Sequence, residues 1–160
     1  MMERLSNERW GFSSNCFVCE PTNAVGLRQP FFHDTESGLV VADIELGNAH
    51  SGAPSYIHGG VQLALLDEAM AWAAIAVAER FAVTGPSRRR STIRSRSTGP
   101  TGSRRRSTID NSTLSASARI VDDHGRLRTS AQATLVVLSA AQAVEAGAEL
   151  GSSTDGFTRS

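Results

Sequence analysis

One stretch of the sequence combines residue types and spacing that suit chemistry on a carbonyl group. It contains His58, Gly59 and Gly60, followed after six residues by Asp67 and Glu68. Two successive glycines leave their backbone N–H groups uncovered by side chains, and a helix that begins there adds unpaired N–H groups and a positive dipole end. Such donors stabilise a carbonyl oxygen that becomes negative during a reaction. A carboxylate nearby serves as a nucleophile or as a general base on water.

The two adjacent carboxylates, Asp67 and Glu68, must face different surroundings because successive helix positions differ by about 100°. An unpaired ionised carboxylate that is buried costs on the order of several kcal/mol, so at least one of them should line a polar site. Salt bridges at a subunit interface are an equally good interpretation. Asp67 lies about two turns beyond Gly60, so both reach one carbonyl only if a ligand lies along the groove or a second subunit supplies one part.

Residues 61 to 78 are nearly all apolar and predict the helix that positions these groups. A helix without a polar face is enclosed by the protein on most sides, so this helix should be central. Its length, about 20 residues, corresponds to about 30 Å. Gln62, Asp67 and Glu68 interrupt the apolar run, which argues against a membrane span.

A β-hairpin is predicted ahead of the helix. Residues 26 to 33 and 39 to 46 have strand patterns, and residues 34 to 38 are typical of a turn. Residues 47 to 55 form a loop of small residues that delivers His58 to the helix start. We favour a structural role for His58, hydrogen-bonded to a loop carbonyl, over a role as a base.

A second hairpin is predicted after the helix, with strands over residues 114 to 121 and 129 to 138 and a turn over residues 122 to 126. Residues 81 to 84 resemble the beginning of another strand, and residues 140 to 160 predict a short helical stub and a polar tail. One face of the last strand carries apolar residues, namely Ala131, Ala133, Leu135 and Val137.

Residues 85 to 112 break this pattern. They contain two large apolar residues, Ile93 and Ile109, and the heptapeptide Ser-Arg-Arg-Arg-Ser-Thr-Ile occurs in them twice. Half of the sixteen basic residues of the chain lie here. The segment is a disordered Arg-rich insertion, a strand pair of unusual polarity, or the product of a shifted reading frame. We favour the shifted frame because the pattern is lost and regained abruptly.

The composition implies no global attraction to nucleic acid or to a membrane, because the formal net charge is zero. The first 15 residues lack the apolar core of a secretory signal, so we expect a cytoplasmic protein. Cys16 and Cys19 have the spacing of metal or redox sites, but a structural zinc needs two more ligands. His33 and His50 are weak candidates, so we expect no metal and a reduced thiol pair.

Several of these features occur together in one known family. They are His58-Gly59-Gly60 with its spacing to Asp67-Glu68, the preceding loop Gly52-Ala-Pro54, the opening Cys16-Phe-Val-Cys19, and Asn23 with Gly26-Leu27. In these motifs the chain resembles hotdog-fold acyl-CoA thioesterases of the PaaI and 4-hydroxybenzoyl-CoA type. The resemblance covers about residues 15 to 84 and 113 to 138.

The resemblance implies an α+β hotdog fold, in which an antiparallel β-sheet wraps around a long central α-helix. It implies a single domain over residues 16 to 138, between an N-terminal segment of residues 1 to 15 and a tail of residues 139 to 160. It also implies a homodimer or homotetramer with active sites between subunits. Coenzyme A enters as part of the substrate, and no other cofactor is expected.

The function implied by the resemblance is hydrolysis of an acyl-CoA thioester. Asp67 would be the nucleophile or base, and the N–H groups of Gly59 and Gly60 would polarise the carbonyl. Substrate contacts would come from His58, Gln62, Ser55 and Glu68. Two alternatives remain open: a module that binds acyl-CoA without turnover, and an inactive protein in which residues 85 to 112 disrupt the sheet.

Overall fold

A long antiparallel sheet with one helix packed on its face forms most of the part of the chain that the computed structural model describes. The described residues are 1–10, 14–54, 56–91, 101–106 and 112–146. The strands and α-helices, in chain order, are β1 (Met2–Leu5), β2 (Phe31–Asp34), β3 (Leu39–Ala42), β4 (Ser51–Ala53), β5 (Tyr56–Ile57), α1 (Gly59–Ala76), β6 (Ala82–Ser91), β7 (Thr101–Arg106), β8 (Thr113–Val121), β9 (Leu127–Val137) and α2 (Ala140–Glu145).

The central helix α1 is confirmed, and it begins two residues earlier than its apolar run. Its sheet-facing side carries large apolar residues that are almost fully buried, namely Leu65, Leu66, Met70 and Trp72. A second set of apolar residues in the helix is only partly buried, namely Val61, Leu63, Ala64, Ile75 and Ala76. The helix therefore buries one side on the sheet and leaves a second apolar side half covered. None of the helices in the described ranges has the length and hydropathy that a membrane crossing requires.

The sheet has the strand order β1-β2-β3-β7-β8-β9-β6 over the described residues, and every neighbouring pair in it is antiparallel. The predicted hairpin of β8 and β9 is confirmed, with Ala116 opposite Ala133 and Ala118 opposite Ala131. These four alanines are buried. Since an alanine adds only a methyl group to the sheet surface, α1 can lie close to the strands. The turn between the strands uses Gly125 at a φ of 72°, which glycine adopts without strain.

The first predicted strand, over residues 26 to 33, is wrong in its first half. β2 begins only at Phe31, because the preceding residues fold into a turn that is held by its own backbone. The N–H of Leu27 donates to the carbonyl of Phe17 at 2.8 Å, and the N–H of Gln29 donates to the carbonyl of Val18 at 2.8 Å. These donors are therefore not available to a neighbouring strand.

Two further strand predictions need correction. β3 ends at Ala42 rather than at Leu46. The edge strand β1, Met2–Leu5, was not predicted from its mainly polar sequence. It pairs antiparallel with β2 and extends the sheet by one strand.

The basic segment contributes backbone to the sheet in its described parts. β6 runs through Arg88, Arg89 and Arg90 as far as Ser91, and β7 pairs with both β3 and β8. The ladder forms between backbone groups, which every residue except proline supplies in full. Residues 92–100 and 107–111 lie outside the described part of the chain, so the three interpretations of the whole segment remain predictions. The tail beyond residue 146 also lies outside it.

Candidate active site

The start of α1 is capped by His58. Its Nδ1 accepts the N–H of Gly60 at 2.9 Å, and its own backbone N–H donates to the carbonyl of His50 at 2.8 Å. An accepting Nδ1 requires a neutral ring with its proton on Nε2. We predicted a bond from the ring to a loop carbonyl, whereas the ring accepts from an N–H. The N–H of Gly60 is therefore already paired with the imidazole.

Arg89 lies over the same helix start. Its Nη1 donates to the carbonyl oxygen of Gly59 at 3.2 Å. A Cβ added at Gly59 would come within 2.9 Å of Nη2, so the glycine gives the guanidinium room. Sequence reasoning missed this contact because Arg89 lies in the basic segment, 30 residues further along the chain. The helix start thus combines a positive dipole end with a fixed cation, and both favour an anion.

Gln62 is buried one turn into α1. Its Nε2 donates to the carbonyl of Ile57 at 2.9 Å, whereas its Oε1 has no hydrogen-bond partner among the described residues. A buried acceptor that lacks a partner costs about 1–3 kcal/mol. This oxygen is therefore a candidate contact for a ligand or a water molecule. Ser55, the other predicted contact from this region, lies outside the described residues.

Asp67 is half-buried, and one of its carboxylate oxygens accepts a hydrogen bond from a residue of the sheet. The hydroxyl of Thr84, on β6, donates to Oδ1 at 2.7 Å. Among the described residues, no cation lies within 4.0 Å of this carboxylate. The alternative of a salt bridge at a subunit interface stays a prediction. The Thr84 contact was not predicted, although the strand beginning near residue 81 was. The carboxylate is positioned yet not neutralised, as a base or nucleophile requires.

Glu68 faces different surroundings, as the rotation between neighbouring helix positions predicts. The thiol of Cys16 donates to its Oε2 at 3.4 Å, and burial raises the pKa of Glu68 to about 7. A hydrogen bond from Cys19 lowers the pKa of Cys16 to about 5, and the same contact raises the pKa of Cys19. Glu68 is therefore directed toward the turn of residues 16–20, called here the N-terminal turn, whereas Asp67 is directed toward β6.

The predicted site residues thus fall into two groups. His58, Gly59, Gly60 and Gln62 lie together at the start of α1. Asp67 lies further along the helix. Within one chain, its carboxylate is therefore about two helical turns away from the N–H groups of Gly59 and Gly60. Glu68 belongs to neither group, since its contacts are with the cysteine pair.

Comparison by sequence identifies no relative. No family model matches the chain. No curated protein matches it either.

Comparison by structure finds solved structures of thioesterases. A thioesterase superfamily protein has a TM-score of 0.67 and 21% identity, covering 76% of this chain and 62% of that one. A hypothetical thioesterase from Streptococcus pneumoniae TIGR4 with coenzyme A has a TM-score of 0.55 and 20% identity, covering 63% and 79%. The PaaI protein of E. coli has a TM-score of 0.55 and 16% identity, covering 64% and 74%.

These likenesses confirm the predicted fold. The chain has the α+β hotdog architecture, with an antiparallel sheet around one long helix. It spans 62% of the length of the first of these structures.

Proposed function

We propose that the chain hydrolyses an acyl-CoA thioester to a free acid and coenzyme A. The observation that carries this proposal is the half-buried Asp67, whose Oδ1 accepts the Thr84 hydroxyl at 2.7 Å while no cation among the described residues neutralises it. The fold adds support, because a hypothetical thioesterase solved with coenzyme A and a Streptococcus mutans protein solved with acetyl-CoA share it.

In the proposed reaction, Asp67 acts as the base that removes a proton from water, or attacks the carbonyl carbon itself. The C–S bond breaks, the acyl carbon gains a hydroxyl from water, and the proton passes to the thiolate of coenzyme A. The N–H groups of Gly59 and Gly60 stabilise the oxyanion, at about 3–4 kcal/mol for a good donor in other enzymes. His58 releases the N–H of Gly60 by rotating its ring when the substrate enters.

Binding of the coenzyme A part draws on the cation at the helix start. The phosphates of coenzyme A are anionic, and the guanidinium of Arg89 lies beside the first residue of α1. A guanidinium offers several donors in one plane, which suits phosphate oxygens. Gln62 and Ser55 supply polar contacts for the acyl or pantetheine part, and the acyl group itself is not specified by these residues.

We also propose that the active unit is a homodimer or homotetramer. Asp67 and the glycine pair lie about two helical turns apart on one helix. In a dimer, Asp67 of one subunit can face the glycine pair of the other. The partly buried apolar side of α1, which includes Val61 and Ile75, supports an interface because it remains only half covered in one chain. Analytical ultracentrifugation should give a dimer or tetramer, and a monomer at all concentrations would contradict the proposal.

The test of the activity is thiol release from short, medium and aromatic acyl-CoA esters. Replacing Asp67 by Asn should lower kcat/KM by about 10²–10⁴-fold, the range that a positioned acid or base contributes. Asp43→Asn is the matched control, because Asp43 is exposed and lies outside the helix. Circular dichroism should show equal folding of the three proteins. Hydrolysis by the Asp67→Asn protein at the wild-type rate would contradict the assignment.

One observation favours a second candidate, a module that binds acyl-CoA without turnover. The N–H of Gly60 is already paired with His58, so one of the two proposed donors is occupied. Isothermal titration with a non-hydrolysable acyl-CoA analogue separates the two functions. Binding by a well-folded protein that releases no thiol from any ester favours the binding module. Loss of both binding and cooperative unfolding would instead indicate that the basic segment disables the chain.

A further inference from the structure

A cluster of three potential metal ligands lies outside the proposed active site. It consists of the Cys16 and Cys19 thiols, on the turn that precedes β2, and the carboxylate of Glu68, on α1. One ligand atom from each residue lies within 4.8 Å of the other two. All three residues are partly buried, and neither cysteine is in a disulfide. The sequence could not reveal this cluster, because Cys16 and Glu68 are 52 residues apart.

The turn that carries the cysteines already has the geometry of a metal-binding knuckle. The N–H of Val18, between the two cysteines, donates to the sulfur of Cys16 at 3.3 Å. The carbonyl of Cys16 accepts the N–H of Glu20 at 3.3 Å, which closes the turn. Hydrogen bonds to a sulfur favour its thiolate form, and thiolate is the form that binds metals. The backbone therefore prepares one sulfur as a ligand before any metal arrives.

No positively charged side chain in the described part of the chain pairs with the cluster. No Lys, Arg or His nitrogen there lies within 4.0 Å of the Glu68 carboxylate. Its Oε2 accepts from the thiol of Cys16, and the sulfur of Cys19 accepts the amide of Asn7 at 3.8 Å. When both thiols lose their protons, the two thiolates and the carboxylate repel one another, and a cation bound between them removes that repulsion.

The spacing between one sulfur and the carboxylate fits a small tetrahedral cation. With metal–sulfur bonds of about 2.3 Å and metal–oxygen bonds of about 2.0 Å, a tetrahedron places its sulfur and oxygen ligands about 3.5 Å apart. The sulfur of Cys16 lies 3.4 Å from Oε2 of Glu68. We propose that Cys16, Cys19 and Glu68 bind one thiophilic divalent cation of the zinc class, with the fourth position left to water or another donor. Binding displaces the thiol protons, which pass to solvent.

The proposed site would act as a clamp between the N-terminal turn and α1. The turn is closed by its own backbone bond, Val18 packs in the core, and Glu68 contacts the turn through the thiol of Cys16. A metal that binds the folded chain better than the unfolded chain stabilises the fold. This inference does not rest on the proposed hydrolysis, because its ligands are distinct from Asp67 and the glycine pair.

Titration with Co²⁺ of the reduced, metal-free full-length chain under anaerobic conditions tests the proposal. We expect saturation at one equivalent, with thiolate-to-metal charge-transfer absorption and the visible bands of tetrahedral cobalt. Zinc should then displace the cobalt, and zinc should raise Tm. A mercurial reagent that blocks thiols should release the zinc. Absence of charge-transfer absorption in the folded wild-type protein overturns the proposal without any variant.

Variants identify the ligands. Cys19→Ser should abolish the charge-transfer signal or weaken the affinity by at least about tenfold, the lower end for losing a group that supports a metal site. Glu68→Gln should keep both sulfurs but weaken the affinity by a similar factor. Glu45→Gln is the control, because Glu45 is exposed and lies outside the cluster. Equal cobalt affinity in wild type and in folded Cys19→Ser and Glu68→Gln proteins would contradict the ligand assignment.

Discussion

At the scale of single residues, the hydroxyl of Thr84 is the contact that fixes the proposed catalytic carboxylate. Replacing Thr84 by Val keeps a β-branched shape and removes the donor to Asp67. A hydrogen bond to a charged group is worth about 1.5–3 kcal/mol. Steady-state thiol release should therefore show kcat/KM reduced by about ten- to hundredfold, mainly through kcat. Thr84→Ser keeps the donor and should retain most of the activity, and equal losses in the two variants would show that shape matters more than the bond.

A second residue-scale contact connects stability to pH. Asp122 is buried in the β8–β9 turn, where the backbone N–H of Arg126 lowers its pKa, with further contributions from Arg128 and the N–H of His124. The folded chain releases this proton more readily than the unfolded chain, so the ionised carboxylate stabilises the fold at pH values above the ordinary pKa of about 4. This stability is lost as the pH falls through the lower pKa of the folded chain.

Denaturant unfolding between pH 2 and pH 7 should show this loss. In the Asp122→Asn protein the free energy of unfolding should be lower near neutrality and should fall less steeply toward acid. Parallel pH curves for the two proteins would contradict the assignment. Asp43→Asn, at an exposed position, should keep the wild-type slope.

The sequence identified individual reactive residues better than it identified their neighbours. Asp67, the glycine pair and the two cysteines stood out by type and local spacing. The partners Thr84 and Arg89 did not, because each is brought to α1 by the path of β6, 17 and 30 residues beyond the groups that they contact. The metal expectation illustrates the same limit. We considered His33 and His50 as further ligands, whereas the structure brings Glu68 to the thiols.

At the scale of elements, the irregularity in β6 depends on a glycine. The pairing with β9 shifts between Thr84 and Ser87, and a Cβ at Gly85 would meet the carbonyl oxygen of Thr134 at 2.9 Å. That atom belongs to the backbone of β9, which is paired with a strand on each side and cannot move aside easily. Gly85→Ala should therefore destabilise the protein by about 1–3 kcal/mol, as overpacking does.

Thermal and denaturant unfolding measure this effect. Gly47→Ala is the matched control, because a Cβ at Gly47 meets nothing within 4 Å and its φ of −113° suits any residue. Its stability should stay within about 0.5 kcal/mol of wild type. An equal effect of the two substitutions would show that chain entropy, rather than the contact with Thr134, governs both.

Elements with a clear periodic pattern were predicted well, and those held by irregular backbone were not. α1 and the β8–β9 hairpin follow from continuous or alternating apolar residues. β1 has a mainly polar sequence and is a strand because it pairs with β2 at the sheet edge. The turn before β2 replaces a predicted strand because its N–H groups bond within the turn. Whether such an element forms depends on backbone hydrogen bonds to residues that are distant in sequence. The local sequence pattern does not reveal those bonds.

At the scale of the whole molecule, the main prediction is that a shifted reading frame produced the basic segment, residues 85 to 112. β7 lies between β3 and β8, in the interior of the sheet, yet its sequence contains no large apolar residue. A shifted reading frame explains this, and natively expressed protein should then have an intact mass different from 17.0 kDa. Cleavage after acidic residues should release residues 80 to 110 as one peptide if the printed sequence is expressed. Finding that peptide would refute the shifted frame.

The neighbouring carboxylates of α1 have a mechanical consequence. Asp67 is attached to β6, and Glu68 is attached to the N-terminal turn on another side. These two contacts, on different sides of α1, fix the rotation of the helix about its axis. One residue inserted between Gly60 and Asp67 would rotate both carboxylates by about 100° relative to the helix start, and the two contacts would fail together. We therefore expect length changes in this helix to be tolerated only after Glu68.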